Sequence, residues 1–198
     1  MSYRNKLKNH IVLGCILTGL LSQACGSVAE NELGQLRVQG QEIVNDQGPF
    51  LIKSIGTGNW MIQEGYMMQS TDAGIGTHTQ FRTKLEQEIG EEQTTEFYQE
   101  WLDNHMTKAD LDSMKTWGFN AIRPALHYKW FTLPIQDEPV SGQHTWVDAG
   151  FEKLDELMGW ATANQMYVMF DMHGAPGGQG KNSNINDYDE TLPSLFED

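Results

Sequence analysis

The stretch "YVMFDMHGAPGGQG", residues 167–180, decides the predicted fold. Its first residues, from Tyr167 onward, predict a buried strand, which runs into His173 and a loop with four glycines. A histidine at a strand end beside such a loop fits a phosphate-binding loop, a metal site or the rim of a barrel that binds an uncharged substrate. The phosphate-binding pattern G-x-x-x-x-G-K-[ST] fails, because Ala175 stands at its first glycine and Asn182 at its hydroxyl position.

Strands and helices alternate along the rest of the chain. The first half predicts a hairpin at 36–44, a strand at 50–56, a polar surface loop at 64–80, a helix with Phe81, Leu85 and Ile89 on one face, and a second helical piece with Phe97 and Trp101. The second half predicts a helix from a capping box at 107–110 to Gly118, followed by a strand at 119–124. A helix capped by Asp148 and a strand at 167–172 come next. The apolar face of that helix contains Phe151, Leu154, Leu157 or Met158, and Ala161. This order of near-continuous apolar strands and helices is typical of parallel strands covered by helices on both faces.

Polar residues follow the predicted strands at their carboxyl-terminal ends. Trp60 and Glu64 follow the first strand, and Arg123 and His127 lie at and beyond the end of the second. His173 follows the third strand, beside Asp171, which we expect to orient its neighbours. In a parallel (β/α) barrel the active site is built at this end of the strands.

The N-terminus has the pattern of an export signal. Three basic residues precede an apolar segment, Ile11 to Leu21, that is too short to span a bilayer. We predict a signal peptide over residues 1–24, with Cys25 as the lipidated residue of a bacterial lipoprotein, and a linker over residues 25–35. Cleavage after Ala29 is the alternative of plain secretion. The expected location is therefore the cell surface, the periplasm or the extracellular medium, with a lipid anchor as the one predicted membrane contact.

Composition restricts the classes of partner. The formal net charge is −14, and the predicted leader contains three of the 13 basic residues and no acid, so the remaining chain is more acidic still. Such a surface repels nucleic acid and anionic lipid and is compatible with a neutral substrate. Both cysteines, Cys15 and Cys25, lie in or beside the leader, so we expect a domain without a disulfide.

Three segments carry a resemblance to a known family. The segments "GNWMIQEGYM" (58–67), "WGFNAIRPALHY" (117–128) and "FDMHGAPGGQ" (170–179) resemble the first three strand ends of glycoside hydrolase family 5. The last segment is most similar to the exo-β-1,3-glucanase branch. The resemblance implies an α/β fold, an incomplete TIM (β/α)8 barrel that comprises about the first three β/α units with an N-terminal hairpin, over residues 36–198.

The family resemblance also implies roles for five residues. Arg123 would lie beneath the catalytic nucleophile, and the alternative is a structural ion pair. His173 would hydrogen-bond the sugar, and the alternative is a core histidine. His127 would line the cleft or pack beside Tyr128. Glu64 would bind sugar hydroxyls or be a solvated loop acid, and Trp60 would stack on a sugar or belong to the core. The acidic residues 187–190 are predicted to be solvated surface.

The implied chemistry is retaining hydrolysis of a β-glucan by two glutamates, without a cofactor. In the family the acid/base glutamate lies in an Asn-Glu-Pro segment, which these 198 residues do not contain. We therefore expect the catalytic pair beyond residue 198, and residues 30–198 alone to be inactive. Two other functions remain open: a non-catalytic carbohydrate-binding barrel, and a metal-dependent hydrolase that uses Asp171, His173 and His127.

Overall fold

The N-terminal part of the structure is a small antiparallel sheet. The structure, a computed structural model, describes residues 33–134, 137 and 142–192. Strands β1 (Arg37–Gln39), β2 (Glu42–Asn45) and β3 (Gly48–Pro49) pair in the order β1-β2-β3. The turn between β1 and β2 contains Gly40 at φ 65°, a left-handed conformation that glycine adopts without steric cost. The predicted hairpin is confirmed.

A second sheet is parallel and forms the framework of the site. It contains β4 (Ser54–Thr57), β5 (Ala121–His127), β6 (Tyr167–Val168) and β7 (Asp171–Gly174). The central strand β5 pairs in parallel with each of the other three. The predicted parallel arrangement is therefore confirmed for these strands.

The predicted strand boundaries need three corrections. The strand predicted at 50–56 is β4, which begins at Ser54. The strand predicted at 119–124 is β5, which continues to His127. The predicted strand at 167–172 is two short strands, β6 and β7, because its pairing with β5 is interrupted, although the Met169 N–H still donates to the Ile122 carbonyl at 2.9 Å. Apolar composition identified the strands but not where their ladders of hydrogen bonds begin and end.

The helices connect the parallel strands. They are α1 (Gly65–Met68), α2 (His78–Ile89), α3 (Glu91–His105), α4 (Lys108–Thr116), α5 (Asp148–Ala163) and α6 (Ser183–Asn186), with 3₁₀ turns at Thr71–Ala73 and Tyr128–Trp130. The predicted loop at 64–80 is wrong in part, since it contains α1, a 3₁₀ turn and the start of α2. The residue before α5 is Val147, so Asp148 lies in the first turn rather than at the cap. An acid there still interacts favourably with the helix dipole.

The hydrophobic core lies between the parallel sheet and helices α3 to α5. Its buried members are Trp60, Met61, Leu102, Met106, Leu111, Ile122, Leu126, Phe131, Leu157, Ala161 and Met166. Helix α5 contributes Leu157 and Ala161, whereas Met158 is 41% exposed and faces away. The capping box of α4 is confirmed, since the Thr107 N–H donates to the Asp110 carboxylate at 2.8 Å.

The described residues form a partial α/β arrangement and do not close into a barrel. They all lie in one compact unit, Glu32–Asp198. The predicted signal peptide, Cys25 and most of the linker lie outside the described residues. Within the part of the chain that is described, no helix is both long and apolar enough to cross a membrane.

Candidate functional site

A pocket of about 340 Å³ opens at the carboxyl-terminal side of β4, β5 and β7. The register of the sheet brings its walls together, because Gly56 of β4 lies opposite Arg123 of β5, and Ala125 of β5 lies opposite Asp171 of β7. The side chains that matter to its chemistry are Thr57, Glu64, Tyr66, Arg123 and His173. The parallel sheet thus brings together three of the five predicted site residues: Glu64, Arg123 and His173.

Asp171 links two of these residues. Its Oδ2 atom accepts from Arg123 Nη2 at 2.6 Å and from His173 Nδ1 at 2.8 Å. Because a carboxylate at this distance accepts, Nδ1 of His173 carries a hydrogen and the Nε2 atom points away from Asp171. The contacts agree with the prediction that Asp171 orients its neighbours.

Glu64 lies on the other side of His173. The Glu64 carboxylate is 3.6 Å from His173 Nε2 and accepts from the Tyr66 hydroxyl at 3.4 Å. Its backbone N–H donates to Asn59 Oδ1 at 3.0 Å, which fixes the start of α1. Glu64 is only 4% exposed, so the alternative of a solvated loop acid is wrong.

Two carboxylates therefore flank one imidazole. The contact with Glu64 and the charge of Asp171 raise the pKa of His173, while burial opposes them. Burial and the neighbouring Glu64 raise the pKa of Tyr66, so its hydroxyl stays protonated at neutral pH. The site presents donors and acceptors in one small space, which suits recognition of several hydroxyl groups of an uncharged ligand.

Arg123 combines an anchored position with an accessible guanidinium. Its side chain is 51% exposed, and the guanidinium has five N–H donors, of which Nη2 bonds Asp171. The remaining donors suit a second carboxylate at the mouth of the pocket. Both predicted roles, a structural ion pair and support of a catalytic glutamate, are compatible with this geometry.

Trp60 and His127 are not part of the pocket surface. Trp60 is 1% exposed within the core and donates its Nε1 hydrogen to the Leu102 carbonyl at 3.0 Å. Stacking on a sugar needs an exposed ring face, and the structure instead places Trp60 in the core position that the sequence left as its alternative. His127 is fully buried and stacks on Tyr128, with ring centroids 5.1 Å apart, so it packs rather than lines the pocket.

The prediction that the acids 187–190 are all solvated surface is wrong for Asp187. Only 6% of this side chain is exposed, and its carboxylate is 2.9 Å from His127 Nε2. The same carboxylate accepts from the Thr79 backbone N–H at 3.0 Å. A run of acids conceals this contact in the sequence, since its partners lie 60 and 108 residues away.

The comparison with known proteins identifies the class to which this fold and site belong. Residues 79–198 match the family Cellulase (glycosyl hydrolase family 5), and the chain belongs to this family. The crystal structure of rutinosidase from Aspergillus niger shares the fold, with a TM-score of 0.51 and 18% sequence identity over 68% of this chain and 36% of that chain. This likeness supports the predicted TIM-barrel fold.

Two curated relatives are glycosidases. The chain is 28% identical over 148 residues to a beta-xylosidase of Phanerodontia chrysosporium, and the matched segment covers 74% of this chain and 29% of that protein. It is 27% identical over 161 residues to a probable glucan 1,3-beta-glucosidase A of Aspergillus niger, and the matched segment covers 81% of this chain and 37% of that protein. The chain thus spans about a third of the length of these relatives.

Proposed function

We propose that the protein containing this chain is a glycoside hydrolase that cleaves a β-glucan with retention at the anomeric carbon. Membership of glycosyl hydrolase family 5 and the similarity to a probable glucan 1,3-beta-glucosidase support the reaction class and the substrate class. The observation that carries the proposal is the contact series Glu64–His173–Asp171–Arg123, in which Glu64, His173 and Arg123 line the pocket. The described strands and helices would be about the first three units of its barrel.

In this proposal Glu64 and His173 bind the sugar. The Nε2 atom of His173 hydrogen-bonds a sugar hydroxyl, donating to it when the ring is protonated and accepting from it when only Nδ1 carries a hydrogen. The Glu64 carboxylate accepts from a neighbouring hydroxyl. Asp171 fixes the ring of His173 through Nδ1. The acidic chain does not repel such a substrate, since the sugar is neutral.

Arg123 supports the catalytic nucleophile rather than touching the sugar. Retaining glycosidases use two carboxyl groups about 5–5.5 Å apart, one as nucleophile and one as acid/base. We assign both to residues outside these 198, in keeping with the family's Asn-Glu-Pro segment. The exposed guanidinium of Arg123 would then keep the nucleophile ionised and oriented. Residues 30–198 alone would lack turnover, because neither carboxyl group of the pair is among them.

Proton NMR of the first product released by the full-length protein tests the reaction. With laminarin, a β-1,3-glucan, as substrate, we expect the β-anomer to appear first and the α-anomer only by later mutarotation. The variant His173→Ala should release product more slowly with the same anomer. The variant His144→Ala is the matched control, because this exposed histidine stacks on Trp146 outside the pocket. Early appearance of the α-anomer would contradict retention.

We also propose that the protein is exported and anchored through lipidated Cys25. The basic start, the apolar segment and the small residues before Cys25 support this. Metabolic labelling with a radioactive fatty acid should mark the full-length protein, and Cys25→Ser should remove the label. Label that persists in Cys25→Ser would contradict the anchor, whereas secretion of unlabelled wild type would favour cleavage after Ala29.

A further inference from the structure

A buried carboxylate outside the pocket joins the segment after α6 to two other elements. Asp187 accepts from the backbone N–H of Thr79 at 3.0 Å, from the Thr79 hydroxyl at 2.6 Å and from His127 Nε2 at 2.9 Å. Lys129 Nζ lies 3.9 Å from the carboxylate and donates to the Thr79 hydroxyl at 2.8 Å. We call Asp187, Thr79, His127 and Lys129 the Asp187 cluster. Because Thr79 lies in the first turn of α2, the carboxylate also meets the positive end of that helix.

The hydrogen-bond directions define the state of the buried histidines. His127 Nδ1 accepts from the Lys129 backbone N–H at 3.2 Å, so Nε2 carries the hydrogen donated to Asp187. His127 stacks on His78 with ring centroids 4.6 Å apart, and His78 Nδ1 accepts from the Gln63 N–H at 3.2 Å. Burial lowers the pKa of both histidines, and each is neutral in the folded chain.

Asp187 itself remains ionised. Burial alone would raise the pKa of its carboxyl, but the hydrogen bonds from His127 and Thr79 hold the pKa below its usual range. The residue has φ 55°, a left-handed conformation that aspartate tolerates better than most residues but that is still unfavourable. A buried charge in an uncommon conformation persists only where the surrounding contacts fix it.

The Asp187 cluster contacts the neighbour of His173 directly, and it reaches the neighbour of Glu64 through His78, which stacks on His127. Gly174, which follows His173, lies against the His127 ring, and a Cβ atom at this glycine would be 2.5 Å from His127 Cδ2. On the other side, His78 bonds the backbone of Gln63, which precedes Glu64. The stacked imidazoles thus separate the two backbone segments that carry Glu64 and His173.

We propose that Asp187 is a positioning residue: through His127 and His78 it sets the separation between Glu64 and His173 and so the affinity for the sugar. The expected change in KM rests on the proposed function, whereas the expected movement of Glu64 and His173 does not. Loss of the carboxylate frees the His127 ring, and the ring's movement displaces Gly174 and Gln63. The catalytic step itself is expected to change less than substrate binding.

Kinetics of the full-length protein test this with Asp187→Ala, Asp187→Asn and the control Asp189→Asn. Asp189 is an exposed acid two residues away that bonds Thr191, so its variant also loses a charge from the same loop. We expect Asp187→Ala to raise KM by about tenfold with a smaller change in kcat, because the displaced groups bind the sugar and weakening one hydrogen bond to it changes the affinity by about that much. Asp187→Asn should have a smaller effect, since its amide oxygen still accepts from Thr79, and Asp189→Asn should behave as wild type.

An NMR titration of the histidine side chains gives a readout that does not need activity. In Asp187→Ala the His173 resonances should move and its pKa should fall, because the ring separates from Glu64. If wild type hydrolyses no glucan but His173 shifts as expected, the proposed function fails and the positioning role stands. If Asp187→Ala lowers only the melting temperature, with KM and the His173 resonances unchanged, Asp187 is merely structural and the proposal is wrong.

A milder variant covers the outcome that Asp187→Ala does not fold. Thr79→Ala removes one hydroxyl donor from an exposed position and leaves the backbone N–H in place. It should change KM and the His173 resonances in the same direction by a smaller amount. Wild-type values for both in a folded Thr79→Ala protein would count against the proposal.

Discussion

Replacing Asp171 with asparagine separates the organisation of the site from the stability of the fold. The Oδ2 atom of Asp171 accepts from Arg123 Nη2 at 2.6 Å and from His173 Nδ1 at 2.8 Å, and an amide has one oxygen and no charge for both donors. The ion pair is half exposed on the Arg123 side, so its loss costs about 0–1 kcal/mol of stability. The hydrogen bond to His173 adds about 1 kcal/mol. We expect the free energy of unfolding to fall by about 1–2 kcal/mol in total.

The expected effect of Asp171→Asn on activity is larger. Without the carboxylate His173 can rotate and its Nε2 atom no longer faces the sugar, and the pKa of His173 loses a contribution that raises it. We expect kcat/KM to fall about 100-fold, or about 2.7 kcal/mol of transition-state stabilisation. The assay is hydrolysis of an aryl β-glucoside by the full-length protein at pH 7, with urea unfolding of the same samples.

The control for Asp171→Asn is Glu88→Gln. Glu88 pairs with Lys84 on an exposed face of α2, with both side chains about as exposed as that of Arg123, and lies outside the pocket. It should leave kcat/KM unchanged and reduce stability by less than about 1 kcal/mol. Unchanged kcat/KM in Asp171→Asn, together with a loss of stability above about 3 kcal/mol, would contradict the role in the site and show that Asp171 is a structural residue.

Three further predictions follow from the same geometry. His173→Ala should lower kcat/KM about 100-fold with little change in melting temperature; a large fall in melting temperature with normal kinetics would instead indicate a core histidine. Gly174→Ala should destabilise the fold by about 1–3 kcal/mol in urea unfolding, because its Cβ would meet the buried His127 ring at 2.5 Å; wild-type stability would show that the ring moves freely. The lowered pKa values of His78 and His127 mean that the unfolded chain binds protons that the folded chain does not, so stability should fall as the pH drops below about 6.5. His173 has a raised pKa and acts in the opposite sense, losing its stabilising contribution as the pH rises, so melting temperatures from pH 8 to pH 5 are best measured in His173→Ala. If the melting temperature of His173→Ala rises on acidification, His78 and His127 are not a neutral pair.

Metal removal should not affect hydrolysis. Among the described residues no group of three or more His, Cys, Asp or Glu side chains is arranged to hold a metal ion. Dialysis of the full-length protein against EDTA should leave kcat/KM as it was. Loss of activity that zinc or manganese restores would favour the metal-dependent hydrolase.

Local sequence patterns predicted the parallel framework well. Strands such as β5 are short apolar runs, and helices such as α4 carry a capping box and end near glycine, so each is encoded within a few residues. The expectation that polar residues after such strands converge at one edge also follows from parallel topology alone. Arg123, Glu64 and His173 lie around one pocket for that reason.

Burial and long-range contacts could not be predicted in the same way. Glu64 and Trp60 both follow β4, and nothing in the neighbouring sequence shows whether their side chains are buried or exposed. The burial of Trp60 depends on α3, where the Leu102 carbonyl accepts from the Trp60 ring. Asp187 stands in an acidic run that resembles any solvated surface. Its burial depends on Thr79, 108 residues earlier in the chain, which local patterns do not record.

A crystal structure of the full-length protein with a bound β-1,3-linked glucose oligosaccharide would show whether this pocket binds the sugar. We expect a sugar ring in the pocket, with one hydroxyl oxygen about 2.6–3.2 Å from His173 Nε2 and another at the same range from the Glu64 carboxylate. His173 Nδ1 should still donate to Asp171, and Arg123 should contact the carboxylate of the proposed catalytic nucleophile. An ordered sugar bound elsewhere, with His173 and Glu64 in contact only with water, would contradict the assignment of this pocket as the sugar-binding site.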